Sequence, residues 1–247
     1  MSDNISAADE SKRLVSRIND MIRLAEKRGS VYSSFLNARE CVLAEAELKR
    51  LMYDNYCFYG LFENAERKML CVFKEYYQPE NSDFPMTCLT FSYRKENKLT
   101  HRDFLGAIMA LQIKRETVGD IVIGDGTAQI AVSDSVGNVI KSDIRKIGSV
   151  GVKVSDECGT VLIKVQEFKE IKGTVASLRL DGVLSLALNM SRSRTAGIIK
   201  GIGAEVNYFL KYDSSFNLSQ GDIISVKGFG KYRLEEISGI TKKGRIH

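Results

Sequence analysis

Residues 179–207 read RLDGVLSLALNMSRSRTAGIIKGIGAEVN, and two helices are written into them. Leu180, Val183, Leu184, Ala187 and Leu188 recur at i, i+3, i+4, i+7 and i+8, the stripe of a helix with one buried side. Asn189-Met190 interrupts that stripe, and Ser191 is a suitable N-cap for a second helix. Ile198 and Ile199 supply its buried side, and Gly201 and Gly203 end it. Short β runs follow at AEVNYF (204–209), DIISVKG (222–228) and KYRLEEI (231–237). Residues 173–247 are therefore expected to form one helix-helix-strand unit.

The first turn of the second helix carries chemistry as well as structure. Arg192 and Arg194 stand where the helix macrodipole is positive, an arrangement that costs about 0.3–1 kcal/mol per exposed cation. Stability alone would favour acidic residues there. A phosphate seated on the free amides reverses the sign, and Ser191, Arg192, Ser193 and Arg194 become its companions. Arg179 opens the first helix and Lys200 lies near the end of the second. Lys227, Lys231 and Arg233 fall on or beside the later strands, and Lys242, Lys243 and Arg245 sit in a closing tail read here as mobile. All these cations are candidate phosphate contacts. The charge distribution agrees: residues 173–247 hold 11 Lys/Arg against 6 Asp/Glu, whereas residues 1–172 hold 25 of each sign. The whole excess of +5 thus lies in the final unit, as expected of a polyanion-binding end.

Upstream, MTCLTFSY (86–93) reads as a strand, and LTHRDFLGAIMALQI (99–113) as a helix with Thr100 as N-cap and Asp103 in capping-box position. GDIVI and TAQIAV are short strands around Gly124-Asp125-Gly126. SDIRKIG (142–148) predicts a short helix, and VGVKV (150–154) and TVLIKVQEF (160–168) predict strands. QPENSDFP (78–85) holds both prolines and reads as a linker or long loop. Before it, YCFYGLF and KMLCVFKEYY predict two strands around the polar ENAER segment. Residues 11–28 predict a helix with Gly29 as its stop, and a second helix is expected from Ser34 through FLNARECVLAEAELKRLM. The division expected is 1–80 (α-rich with short strands), 81–172 (α+β) and 173–247.

At 247 residues, 44% hydrophobic and 27% charged, the chain has the composition of an ordinary globular protein of two or three small domains. It has no apolar run of about 20 residues and begins with a polar segment, so a cytoplasmic protein is expected. Five cysteines without CxxC spacing read as small hydrophobes, and with only His101 and His247 beside them a zinc site is not expected. His101-Arg102-Asp103 spells a kinase catalytic-loop tripeptide, but Ile108 stands where a metal-binding asparagine is required. Glycine-rich nucleotide loops and a GxSxG elbow are missing from the sequence, so neither a cofactor nor catalysis is expected.

Arg179-Leu180-Asp181, Ser191-Arg192-Ser193, Ile198-Ile199-Lys200-Gly201, Val206-Asn207 and Gly221-Asp222-Ile223-Ile224 together resemble the S4 RNA-binding domain, with Tyr208 where glycine is common and Gly182 inside the first helix. Ala65-Glu66-Arg67-Lys68, residues 99–121 and the closing TKKGRIH extend the likeness to the YlmH-like family of S4-domain proteins, over roughly residues 35–247. The resemblance implies an RRM-like middle domain before a C-terminal S4 domain. It also implies RNA contacts through Arg179, Ser191, Arg192, Ser193, Arg194 and Lys200. A place on the large ribosomal subunit, quality control of stalled peptidyl-tRNA and genes beside cell-division genes belong to the same implication. Arg102, Lys114 and Arg115 are secondary candidates in the middle domain. Two other readings stand beside this one: an RNA-modifying enzyme targeted by its S4 domain, and a cell-division adaptor.

Overall fold

Leu14, Ile18, Met21 and Ala25 line one side of α1 (Ala7–Arg28) and are all buried, as the helical spacing predicts. Gly29 follows at φ +89, and the chain turns into β1 (Ser30–Leu36). This strand corrects the expected helix start after Ser34. The helix α2 (Ala38–Arg50) begins only after Asn37, whose side chain accepts from the Glu40 amide at 3.0 Å while the Glu40 carboxylate accepts from the Asn37 amide at 2.7 Å. Phe35 and Leu36 precede that cap and are strand residues, buried on opposite faces. With β2 (Tyr56–Tyr59) and β3 (Lys68–Phe73), β1 makes an antiparallel sheet in the order β1-β3-β2. α1 and α2 cover one face of it, against Leu70 and Val72.

Then come β4 (Met86–Ser92), α3 (His101–Ala110), β5 (Val118–Gly124), β6 (Thr127–Ser133) and α4 (Asp134–Asp143). A small hairpin of β7 (Lys146–Ile147) and β8 (Val150–Gly151) precedes β9 (Lys153–Ser155). The sheet order β5-β6-β4-β9 is that of a split β-α-β arrangement, β-α-β-β-α-β along the chain. Phe104 and Ile108 of α3 and Ile140 and Ile144 at α4 pack on one face, against Leu89, Phe91, Ile130 and Val132. The Gly124–Gly126 turn forms as expected, with Gly126 at φ +70. Helix α4 starts at Asp134 and ends within the first two residues of SDIRKIG, which corrects the expected position. The strand expected at 160–168 falls largely outside the described residues, and 161–163 carry no regular structure.

The second face of this four-stranded sheet is not exposed. Cys88, Val122 and Ala131 point from it into a core shared with Phe35, Phe62, Met69 and Cys71 of the N-terminal sheet. Residues 1–165 therefore stack as helices, sheet, sheet, helices, and form one unit. Arg67 and Asp120 tie the two sheets. Asp120 accepts the main-chain amides of Glu66 (2.9 Å) and Arg67 (3.1 Å), while the Arg67 guanidinium donates to the carbonyls of Val118, Phe35 and Arg115.

Residues 166–247 form the second unit. Helices α5 (Leu180–Ala187) and α6 (Arg192–Ile202) pack on an antiparallel sheet of β10 (Ala204–Val206), β11 (Phe209–Lys211), β12 (Ile223–Val226) and β13 (Gly230–Arg233), ordered β11-β10-β12-β13. The run AEVNYF is a correction: it is two strands joined at Asn207-Tyr208, not one. Asn207 explains the turn. Its carboxamide donates to Asp222 at 2.8 Å and accepts from the Ile223 amide at 3.0 Å, which locks the turn to β12.

This is the computed structural model of the chain; it describes residues 7–157, 161–163, 169–239, 241 and 244–247. The architecture is α+β, and among the described residues no helix is long and apolar enough to cross a membrane. None of the four described cysteines is in a disulfide, and burial pushes Cys41 up to about 11 and Cys71 up to about 12, as suits small core residues rather than nucleophiles. Cys158 lies outside the described residues.

Candidate nucleic-acid interface

Helix α6 starts where the serine spacing says it should. Ser191 Oγ accepts from the Arg194 amide at 3.3 Å, and its carbonyl receives the Thr195 hydroxyl at 3.1 Å. Thr195 and Ile199 face the core, so the intervening positions turn outward: Ser191, Arg192, Ser193, Arg194 and Lys200 are exposed. The helix start thus offers amides, two serine hydroxyls 3.2 Å apart and two guanidinium groups to the solvent.

Sequence reasoning gave one residue of this cluster no role. Asp181, nearly buried in the first turn of α5, accepts from Arg192 Nη2 at 2.7 Å and from Arg179 Nη2 at 3.1 Å. Burial disfavours its charge more than any single partner favours it, yet the two arginines together hold its carboxyl below the usual range. Arg179 is raised in turn, chiefly by its hydrogen bonds to Asp181. The carboxylate therefore aims two half-exposed guanidinium groups, each with N–H donors left over. The spacing of Arg-Leu-Asp and Ser-Arg-Ser was the signal: one turn of α5 faces the first turn of α6.

The remaining candidates scatter. Lys227, Lys231 and Arg233 are exposed at the far end of the sheet, and Arg233 also pairs with Glu235 at 2.5 Å. Lys242 and Lys243 lie outside the described residues. The tail around them corrects the expectation of a loose end: Val175 and Ile246 exchange amide-carbonyl bonds of 2.8 Å, and Arg245 donates to the Thr174 carbonyl at 2.9 Å. In the first unit, Arg102 and Lys114 are exposed beside α3. Arg115 is half-buried, and its guanidinium donates to the Val118 carbonyl. Desolvation first, then the charge of Arg67, pushes it down to about 10. Its side chain is directed to the interior. A cleft of about 180 Å³ between α4 and β4 is walled by Thr87, Asp134, Lys141 and Asp156, whose side chains are already paired with one another.

Comparison with known proteins converges on one family. Residues 79–159, the second sheet and its helices, match the family model described as "Putative RNA-binding domain in YlmH". The "Ribosome-associated protein quality control protein P2" of Bacillus subtilis (strain 168) is 31% identical over 215 residues, spanning 86% of this chain and 83% of its own length. The solved "Cell division protein ylmH from Streptococcus pneumoniae" shares the fold, with a TM-score of 0.52 and 24% identity over 64% of this chain and 96% of that one. With the match extending through both units, the chain belongs to the YlmH-like family.

Proposed function

We propose that this chain is a non-enzymatic RNA-binding protein that docks on structured RNA of the large ribosomal subunit and acts in the quality control of stalled peptidyl-tRNA. The observation that carries the reading is the α6 start, where Asp181 orients Arg192 and Arg179 beside the Ser191-capped first turn. Such a surface grips the sugar-phosphate backbone of folded RNA and reads shape more than sequence. The 31% identity to a protein named for ribosome-associated quality control supports the cellular role.

Residues 173–247 are assigned as the S4 domain, a role supported by two packed helices ahead of an antiparallel sheet. Residues 81–172 are assigned as an RRM-like domain, supported by their β-α-β-β-α-β order. Their sheet does not stack bases on its face in the usual RRM manner, because that face is filled by the N-terminal region, residues 1–80. Arg102 and Lys114, at the rim of α3, are the contacts assigned there.

The test compares wild type with the Arg192→Ala/Arg194→Ala double variant on purified large ribosomal subunits across a salt series. The variant is expected to bind at least tenfold more weakly, with a log–log salt slope shallower by up to about one for each phosphate no longer neutralised. Equal binding would remove the helix start from the interface. Absence of wild-type binding at physiological salt would reject the ribosomal reading. Copurification of a division protein would then favour the adaptor, and new modified nucleosides in ribosomal RNA the enzyme.

A further inference from the structure

The sheet of the second unit has an open side, and that side is not plain. Its inner face, Val206, Ile224, Val226 and Tyr232, packs on α5 and α6. The outer face runs across the ladder through Leu210, Glu205, Ser225 and Lys231, which are cross-strand partners. Leu210 and Tyr212 are 51% and 55% exposed, apolar area that the packing of this unit does not use. Both lie over Gly203, where a Cβ would stand 2.6 Å from Leu210 Cδ1 and 3.3 Å from Tyr212 Cε1.

Tyr208 is the telling residue. It sits in the two-residue turn between β10 and β11 at φ +69, after Asn207 at φ +49. Such a turn favours glycine at this second position, and a bulky side chain there is strained by about 1–2 kcal/mol. The ring is half-buried, lies outside the apolar core of this unit and has Lys231 Nζ 5.1 Å from its centroid. An aromatic ring kept in spite of backbone strain and already facing a cation is the chemistry of a stacking site.

We infer that the outer face of this sheet, centred on Tyr208 and Lys231 and continued along β11 to Leu210 and Tyr212, stacks an unpaired base of single-stranded RNA. Lys227, Lys231 and Arg233 outnumber Glu205 and Glu235 on or beside that face and would meet the phosphates of the strand. The inference deepens the RNA-binding reading, and rests on it. It assigns α6 to folded RNA and the opposite side of the same unit to a splayed strand.

The test measures binding of a short labelled oligoadenylate to the full chain. Tyr208→Gly supplies the residue the turn prefers, so the variant should melt no lower than wild type while binding the oligonucleotide about tenfold more weakly. Tyr212→Ala should weaken it severalfold, and Arg192→Ala/Arg194→Ala should leave it within about twofold. Unchanged affinity in Tyr208→Gly overturns the inference, as does wild type that binds large subunits but not the oligonucleotide. The latter outcome leaves the proposed function standing and gives the face to a protein partner or a second copy. Wild type that binds neither removes both.

Discussion

The molecule contains two four-stranded antiparallel sheets that differ in what covers them. The sheet of β5, β6, β4 and β9 is buried on both faces, by α3 and α4 on one side and by the N-terminal sheet on the other. The sheet of β11, β10, β12 and β13 packs one face on α5 and α6, and its other face carries aromatic and cationic side chains with no helix of the described residues of its unit on it. The arginines of the two units differ in the same way. Arg67 sends its donors to main-chain carbonyls in the interior, whereas Arg179 and Arg192 converge on Asp181 and keep donors for solvent. A paired positive side chain can reach a polyanion only when its partner leaves it half free, as Asp181 leaves Arg179 and Arg192.

Opening the covered face should have the largest effect. Phe35 is fully buried against Gly119 between the two sheets, and Phe35→Ala should cost about 3–5 kcal/mol in chemical denaturation of the first unit. Asp120→Ala strands two main-chain amides of the Glu66-Arg67 segment and removes a charge that favours the part-buried Arg67 guanidinium, and should cost about 3 kcal/mol by the same measurement. RNA affinity should fall only in proportion to unfolding in both variants. If either lost RNA binding while fully folded, the first unit would hold a main docking surface.

Asp181→Ala should cost less, about 1–2 kcal/mol, because both partners reach solvent. It should also lower RNA affinity severalfold, since Arg192 loses its orienting partner. The pH dependence has a definite sign. The folded carboxyl titrates below its unfolded value near 3.9, so its stabilisation is complete above about pH 4 and disappears as pH falls through the folded value. Acid titrations of wild type and Asp181→Asn should diverge in that window and run parallel above it. The smallest effect is expected at Gly197, exposed in the middle of α6 with open space around its Cα. Gly197→Ala should raise stability by about 0.5–1 kcal/mol in thermal unfolding.

How much of this could be read from the sequence follows from how local each signal is. Helices α5 and α6 and the Ser191 cap lie within two dozen residues and obey a single period, so they were legible. Strand β1 was not. SVYSSFL is half serine and tyrosine, its register shifts between Tyr32 and Phe35, and both faces of its sheet are buried, so no alternation survives. Helix α4 hid behind Gly137 and an exposed Val139. The cations were legible as a charge excess, but their use was not. Arg115 and Arg194 look alike in sequence, and only tertiary packing turns one inward and leaves the other in solvent.

Arg194 offers the most direct test of the docking surface. Its side chain is exposed at the first turn of α6, where a cation opposes the helix macrodipole, so Arg194→Ala should melt no lower than wild type. Binding to large ribosomal subunits by the same sample should weaken about tenfold, with a shallower salt dependence. Affinity equal to wild type across the salt series would contradict the assignment of this helix start as the docking surface.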